Sequence, residues 1–173
     1  MILCTGNPSH ATVASAVQKI FPATEFASRS TGYDLRFWTP GSKDYFCNHI
    51  KNYSVFINSS FICGGGQLHL LETTHQVWTQ QGIQGHIINI GSTAEWDGIS
   101  SKYPEYSIQK RAWRDRSLQL DNNQIKTTHI IAGGLNDSIA GHEQRLSLDQ
   151  VAQTIEWILN NPCRVKLISL EKL

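Results

Sequence analysis

The sequence has no apolar run approaching the ~18 residues that a membrane span requires. Its first residues, Met1-Ile2-Leu3-Cys4-Thr5-Gly6, lack a basic segment followed by a long apolar one, so no secretory leader is expected. An excess of one charge is also missing: 15 Lys and Arg face 14 Asp and Glu, a net charge of +1 with histidine neutral. That balance gives no electrostatic footprint for nucleic acid or for an anionic membrane, and neither partner is expected. Cysteine is scarce and scattered. The four residues Cys4, Cys47, Cys63 and Cys163 form no Cys-x2-Cys pair, which argues against a disulfide framework or a zinc site. The seven histidines form no ligand-spaced cluster either, so no metal is expected. Buried free thiols in a reducing cytoplasm are the simplest reading.

What is present is an alternation of two patterns. The length of 173 residues fits one domain spanning 1–173, able to bury roughly 70% of its unfolded surface. Short β-branched runs predict strands at Met1–Cys4, Glu25–Ser28, Leu35–Trp38, Ser54–Asn58, His86–Ile90, Thr128–Ala132 and Val165–Leu170. Several are continuously apolar, such as Val55-Phe56-Ile57 and Ile130-Ile131-Ala132, as strands covered on both faces tend to be. Amphipathic stretches between them predict helices at Ala11–Ile20, Asp44–Lys51, Leu68–Gln80, Pro104–Leu120 and Ser147–Leu159. Pro104 suits a first helical turn, and Ser147 stands ahead of the apolar face Val151, Ile155, Ile158 and Leu159. The expected fold class is therefore α/β: a single Rossmann-like, doubly wound parallel sheet of about seven strands. One link is anomalous. Only Arg29–Asp34 separate the second predicted strand from the third, too few for a helix, so the crossover helix after the second strand is expected to be lost.

In such sheets ligands bind beyond the carboxyl ends of the strands, where the strand order reverses. Two features stand out there. Tyr106 and Lys110, four apart near the start of a helix, share a face. A phenol titrates near pH 10, and an adjacent ammonium favours its phenolate, which suits proton exchange with an alcohol or carbonyl oxygen. Ser92 follows the apolar run Ile87-Ile88-Asn89-Ile90-Gly91, so its hydroxyl sits at a buried strand's carboxyl end, 14 residues before Tyr106. Each feature alone is common: a Tyr-x3-Lys pair arises by chance, and a serine past a strand is often a cap.

Taken in order, they resemble the short-chain dehydrogenase/reductase family. That family carries a Thr-Gly turn after its first strand and an Asn-Asn-Ala-Gly segment after the fourth. A serine follows the fifth strand, then a Tyr-x3-Lys helix, and a Pro-Gly turn follows the sixth. Here those places hold Thr5-Gly6, Asn58-Ser59-Ser60-Phe61, Gly91-Ser92, Tyr106 with Lys110, and Ala132-Gly133. The resemblance spans nearly the whole chain. It implies hydride transfer between NAD(P)(H) and a small-molecule carbonyl or alcohol, with Tyr106 as acid/base, Lys110 on the nicotinamide ribose and Ser92 orienting the substrate oxygen. The cofactor-binding set it implies is Thr5, Gly6, Asn7, Ser9, His10, Ser28, Arg29, Ser30, Asn58, Ser59, Lys110 and Gly133. Arg29, flanked by Ser28 and Ser30 where NAD-using relatives carry an acid, favours a 2′-phosphate and hence NADP over NAD. A homodimer or homotetramer is expected from the same resemblance.

The chain also departs from the family. His10 and Thr12 stand where its phosphate loop has glycines, and Ala132 replaces a proline. The helix-borne asparagine of the family has no clear match, with Gln67 or His69 as substitutes. The chain is shorter than typical members, most visibly after the second strand and between Gly133 and Ser147. These departures motivate an alternative: a catalytically inactive member acting as a binding or assembly module. A flavodoxin-like domain is a third reading, but it leaves the Tyr-x3-Lys placement unexplained. Trp96 and His142 lie near the proposed mouth, while Trp78, Trp113 and Trp157 fall on helices and suit packing or subunit contacts.

Overall fold

A computed structural model describes residues 1–33, 39–60, 66–97, 103–135 and 145–171. Its centre is a parallel sheet of six strands: β1 (Ile2–Thr5), β2 (Glu25–Ala27), β3 (Val55–Asn58), β4 (Gly85–Ile90), β5 (Ile125–Ala132) and β6 (Leu167–Leu170). The strands lie in the order β2-β1-β3-β4-β5-β6. Helices α1 (Val13–Ile20), α2 (Pro40–Ile50), α3 (Gly66–Gln80), α4 (Ala94–Asp97), α5 (Pro104–Leu120) and α6 (Leu148–Asn160) fill the connections, so every consecutive pair of strands is joined through a helix. The order is that of a dinucleotide-binding sheet with the outermost strand beyond β2 missing among the described residues.

Strand residues explain why both faces are covered. Successive side chains point to opposite sides, and both sides are apolar. Leu3, Phe56 and Ile87 pack on one face with Phe46 and Ile50 of α2, Leu70, Leu71 and Trp78 of α3, and Trp113 of α5. Their neighbours Cys4, Ile57 and Ile88 face the other way, onto Val13 and Val17 of α1 and Val151 and Ile155 of α6. The helix ends are equally local in origin. The Ser147 hydroxyl accepts the Gln150 N–H at 3.1 Å while the Gln150 side chain accepts the Ser147 N–H at 3.0 Å, a reciprocal cap that starts α6.

Two expectations need correction. The described sheet has six strands rather than about seven, and the predicted strand Leu35–Trp38 lies outside the described residues. The helix predicted at Asp44–Lys51 is α2, which begins four residues earlier at Pro40 and joins β2 to β3; the link between Ser28 and Leu35, where a crossover helix is expected to be lost, holds a 3-10 turn at Arg29–Thr31 and no α-helix among its described residues. Proline suits the first helical position because no partner is required for its missing N–H. The Thr39 hydroxyl caps that end, accepting the Ser42 N–H at 3.2 Å. Among the described residues no helix is long and apolar enough to cross a membrane.

Candidate active site

The sheet order reverses between β1 and β3, so the carboxyl ends of these strands and of neighbouring β4 and β5 frame the crevice. Thr5 ends β1 with its hydroxyl turned toward β3, accepting the N–H groups of Ser59 and Ser60 at 2.8 and 3.0 Å. Gly6 follows with φ of +124°, a conformation that favours glycine. A Cβ there would lie 3.0 Å from that of Ala14 and 3.3 Å from the Ser60 hydroxyl. The chain therefore leaves β1 flush against both α1 and the end of β3.

The loop that follows is held by its own polar groups. Asn7 accepts from the Ser9 N–H through its side chain (2.9 Å) and from the His10 N–H through its carbonyl (3.4 Å). Thr12, one of the two glycine replacements, turns its hydroxyl inward to donate to the Asn7 carbonyl at 3.3 Å, while Ser9 and His10 are exposed. The missing glycines thus become a self-capped turn ahead of α1. These residues fit the pyrophosphate end of a dinucleotide: the Gly6 cradle has no room for a side chain, and the N-terminus of α1 favours an anion.

The remaining residues of the expected cofactor set divide by accessibility. Arg29 is exposed in a 3-10 turn (Arg29–Thr31) just past β2. Beside it the Ser28 and Ser30 hydroxyls meet at 2.7 Å. Gly133 stays on the sheet, donating its N–H to the Leu170 carbonyl at 2.8 Å. Asn58 is fully buried: its side-chain amide donates to the Gln67 carbonyl at 2.9 Å and to Asn89 at 3.4 Å. It braces β3 against α3 and β4 rather than facing an open crevice.

On the β4 side, the Gly91 and Thr93 N–H groups donate to the Ile130 and Ala132 carbonyls at 2.7 and 3.0 Å, tying the turn around Ser92 to β5. The half-buried Ser92 hydroxyl accepts the Ala94 N–H at 3.3 Å and so starts α4. Tyr106 and Lys110 share a face of α5, with the Lys110 ammonium 5.5 Å from the centre of the Tyr106 ring. Lys110 is only 4% exposed. Its Nζ donates to Gln67 Oε1 at 2.8 Å and to the Ile90 carbonyl at 3.4 Å, two residues before Ser92, and lies 4.5 Å from the Trp113 ring centre. Of the two candidates for the unmatched asparagine, it is Gln67 that reaches the lysine; His69 is exposed. Burial pushes Lys110 down to about 7, against the opposing pull of the Glu95 charge.

That displacement predicts a pH dependence of stability. Above about pH 7 folded Lys110 has given up its proton while the unfolded chain keeps its own up to about 10.4. Unfolding then takes up a proton, so stability rises with pH, with a slope approaching ~1.4 kcal/mol per unit. The Cys4 thiol, pushed up to about 12 by burial, acts oppositely only as unfolded thiols ionise near 8.5. Urea unfolding is expected to gain about 1–2 kcal/mol between about pH 7 and 8.5, and the Lys110→Met variant is expected to show no gain.

Sequence reasoning missed three groups here. Glu95 and His129 are fully buried, with His129 Nε2 3.3 Å from Glu95 Oε1. Arg114 Nη1 lies 3.7 Å from the second carboxylate oxygen. The available signal was a histidine inside the apolar strand Thr128–Ala132, since a titratable residue on a twice-covered strand needs a buried partner. The pair lies where a side chain at position 91 would go: a Cβ on Gly91 would run into His129 Nε2 and come within 2.9 Å of Glu95 Oε1. Gly91→Ala is therefore expected to cost about 3 kcal/mol or more, read as a lowered urea midpoint, because neither buried partner has space to yield. Trp96, half-exposed, lies under the Arg114 guanidinium at 5.2 Å, while His142 lies outside the described residues.

No family model and no curated protein matches this chain. Solved structures do. A short-chain dehydrogenase from Burkholderia cenocepacia J2315 in complex with NADP superposes with a TM-score of 0.74 at 10% identity, covering 98% of this chain and 88% of that one. The chain has the short-chain dehydrogenase fold. Serine dehydrogenase from Escherichia coli shares that fold at 18% identity and a TM-score of 0.66, covering 98% of this chain and 95% of its own. A short-chain dehydrogenase/reductase from Vibrio parahaemolyticus shares it at 15% identity and 0.67, with both chains covered completely. At such identities the likeness carries the short-chain dehydrogenase architecture, and the chemistry must be argued from the residues themselves.

Proposed function

We propose that the chain is an NADP-dependent oxidoreductase that interconverts a small carbonyl compound and its alcohol. The observation that carries this reading is the buried Lys110 ammonium beside the Tyr106 ring, at the carboxyl end of β4 in a dinucleotide-type sheet. A charge is taken out of water only at considerable cost, and here it is aimed at a strand end rather than at a surface partner. The bound nicotinamide would supply the hydride chemistry. The chain's own part is to orient and to move a proton. The Ser92 hydroxyl positions the substrate oxygen, the Tyr106 phenol exchanges a proton with it, and Lys110, steadied by Gln67, binds the ribose and biases the phenol through its charge. Gly6, Asn7, Ser9 and His10 hold the pyrophosphate, buried Thr5 fixes the turn against β3, and Ser59 and Gly133 close the crevice from neighbouring strands. Asn58 contributes by bracing α3.

Exposed Arg29 beside the Ser28–Ser30 hydroxyl pair supports a 2′-phosphate ligand, hence NADP over NAD. The buried Cys4 thiol supports a reducing, cytoplasmic setting, and exposed Trp157 and Leu167 support a homodimer or homotetramer.

The test is calorimetric titration with NADPH and NADH, followed by a carbonyl-substrate screen. NADPH is expected to bind more tightly, and Arg29→Ala to weaken it about tenfold while leaving NADH nearly unchanged, in line with ~1.5 kcal/mol for a charge-assisted contact. Absence of binding at millimolar NADPH would sink the reading. Binding without turnover on any carbonyl would instead favour the inactive binding module.

A further inference from the structure

A second buried charge lies behind Lys110, and the reaction as read above makes no use of it. Glu95 is the second residue of the short helix α4, three residues after Ser92, and its side chain is wholly excluded from solvent. Among the described residues, the titratable and charged groups facing it come from two elements. From β5, His129 Nε2 approaches Oε1 at 3.3 Å. From α5, Arg114 approaches Oε2 at 3.7 Å, Arg111 donates to the Glu95 backbone carbonyl at 3.0 and 3.1 Å, and the Lys110 charge is close enough to be felt. Packing is continuous between the two buried charges: Lys110 lies over the Trp113 ring, whose edge meets the His129 ring at 5.5 Å, and His129 rests on Glu95.

Which partner uses the carboxylate's charge depends on His129. Burial holds its imidazole below the ordinary histidine range; the Glu95 contact raises it, and the Lys110 and Arg114 charges lower it again. A neutral His129 donating through Nε2–H satisfies one carboxylate oxygen without cancelling its charge, and its Nδ1 has no hydrogen-bond partner among the described residues. The charge then serves Lys110 and Arg114 of α5. Gly91 makes this possible, since any side chain there would occupy the space of the pair.

We propose that Glu95, oriented by neutral His129, is a positioning residue that supplies the counter-charge of Lys110 from beneath the Ser92 turn. The proposal rests on the role given to Lys110 above, and its test is chosen to stand apart from turnover. The chain is labelled with ¹³C/¹⁵N-lysine, the Lys110 signal is assigned by its loss in Lys110→Met, and its titration is followed by NMR. In Glu95→Gln the Lys110 midpoint is expected to fall by about one pH unit from its wild-type value, because a buried counter-charge is gone. The pH profile of kcat/KM should move in the same direction. An unmoved midpoint overturns the proposal even where Tyr106-dependent turnover is found. A moved midpoint in a protein without turnover upholds it while the enzymatic reading fails. A measurement on the unaltered chain guards against misfolding of the variant: ¹⁵N shifts of His129 should report the neutral Nε2–H form at pH 7. A charged imidazolium there would overturn the proposal, because it would neutralise the carboxylate itself.

Discussion

Tyr106→Phe is expected to lower kcat/KM by about 10²- to 10⁴-fold while NADPH affinity changes by no more than about twofold. The substitution removes a single oxygen. The ring remains on the same face of α5 as Lys110, so the ammonium keeps the aromatic neighbour that lies 5.5 Å away, and the bonds of Lys110 to Gln67 and Ile90 do not involve the phenol. What disappears is the group proposed to exchange a proton with the substrate oxygen. A loss confined to turnover, with cofactor titration and urea midpoint unchanged, separates proton transfer from binding and from folding. Ser92→Ala should give a smaller loss, because the role proposed for its hydroxyl is to orient the substrate rather than to carry the proton; it also caps α4 through the Ala94 N–H. Full activity in Tyr106→Phe would remove the proposed mechanism, whatever the cofactor data say.

The largest expected effect on stability lies at the opposite end of the sheet. Trp78 is fully buried at the close of α3, where its indole N–H donates to the Ile50 carbonyl of α2 at 3.0 Å. Its own carbonyl accepts from the Ile83 N–H at 2.9 Å and from the Gln124 side chain at 3.0 Å, linking α3 to the turns before β4 and β5. Trp78→Ala removes the ring from the centre of this junction and leaves the Ile50 carbonyl without its donor. The expected cost is about 3–5 kcal/mol, a large share of the ~5–15 kcal/mol by which such domains are stable. Urea unfolding would read it as a lowered midpoint at nearly constant slope. Gly85, which opens β4, offers a second check. A Cβ there would run into the indole and come within 2.5 Å of Cε3, so Gly85→Ala should be costly in the native chain. In a Trp78→Leu background the penalty should shrink, and a double-mutant cycle would show strong coupling. Additive losses would mean that the ring and the glycine do not share one space.

What the sequence determined was set by local pattern. Apolar runs such as Val55-Phe56-Ile57 and Ile87–Ile90 specify strands covered on both faces, and Pro104 and Ser147 mark the starts of α5 and α6 through the chemistry of helix ends. The four-residue spacing of Tyr106 and Lys110 needs only the helical repeat to bring them together. Even a local signal can be incomplete: the helix predicted from Asp44 begins at Pro40, because Thr39 supplies a cap that propensity alone does not count.

Only the tertiary structure decided the surroundings of Lys110. Gln67, which accepts a hydrogen bond from its ammonium, is 43 residues away in the chain, and Glu95 and His129 are 34 residues apart. Neither pairing has a spacing signature, because both depend on which strand ends the sheet order sets side by side. The same holds for Asn58, whose polar side chain at a strand end reads as a ligand contact until its burial against α3 and β4 is known. Charge and burial at a site are properties of elements that meet in space, and a one-dimensional pattern carries no record of that meeting.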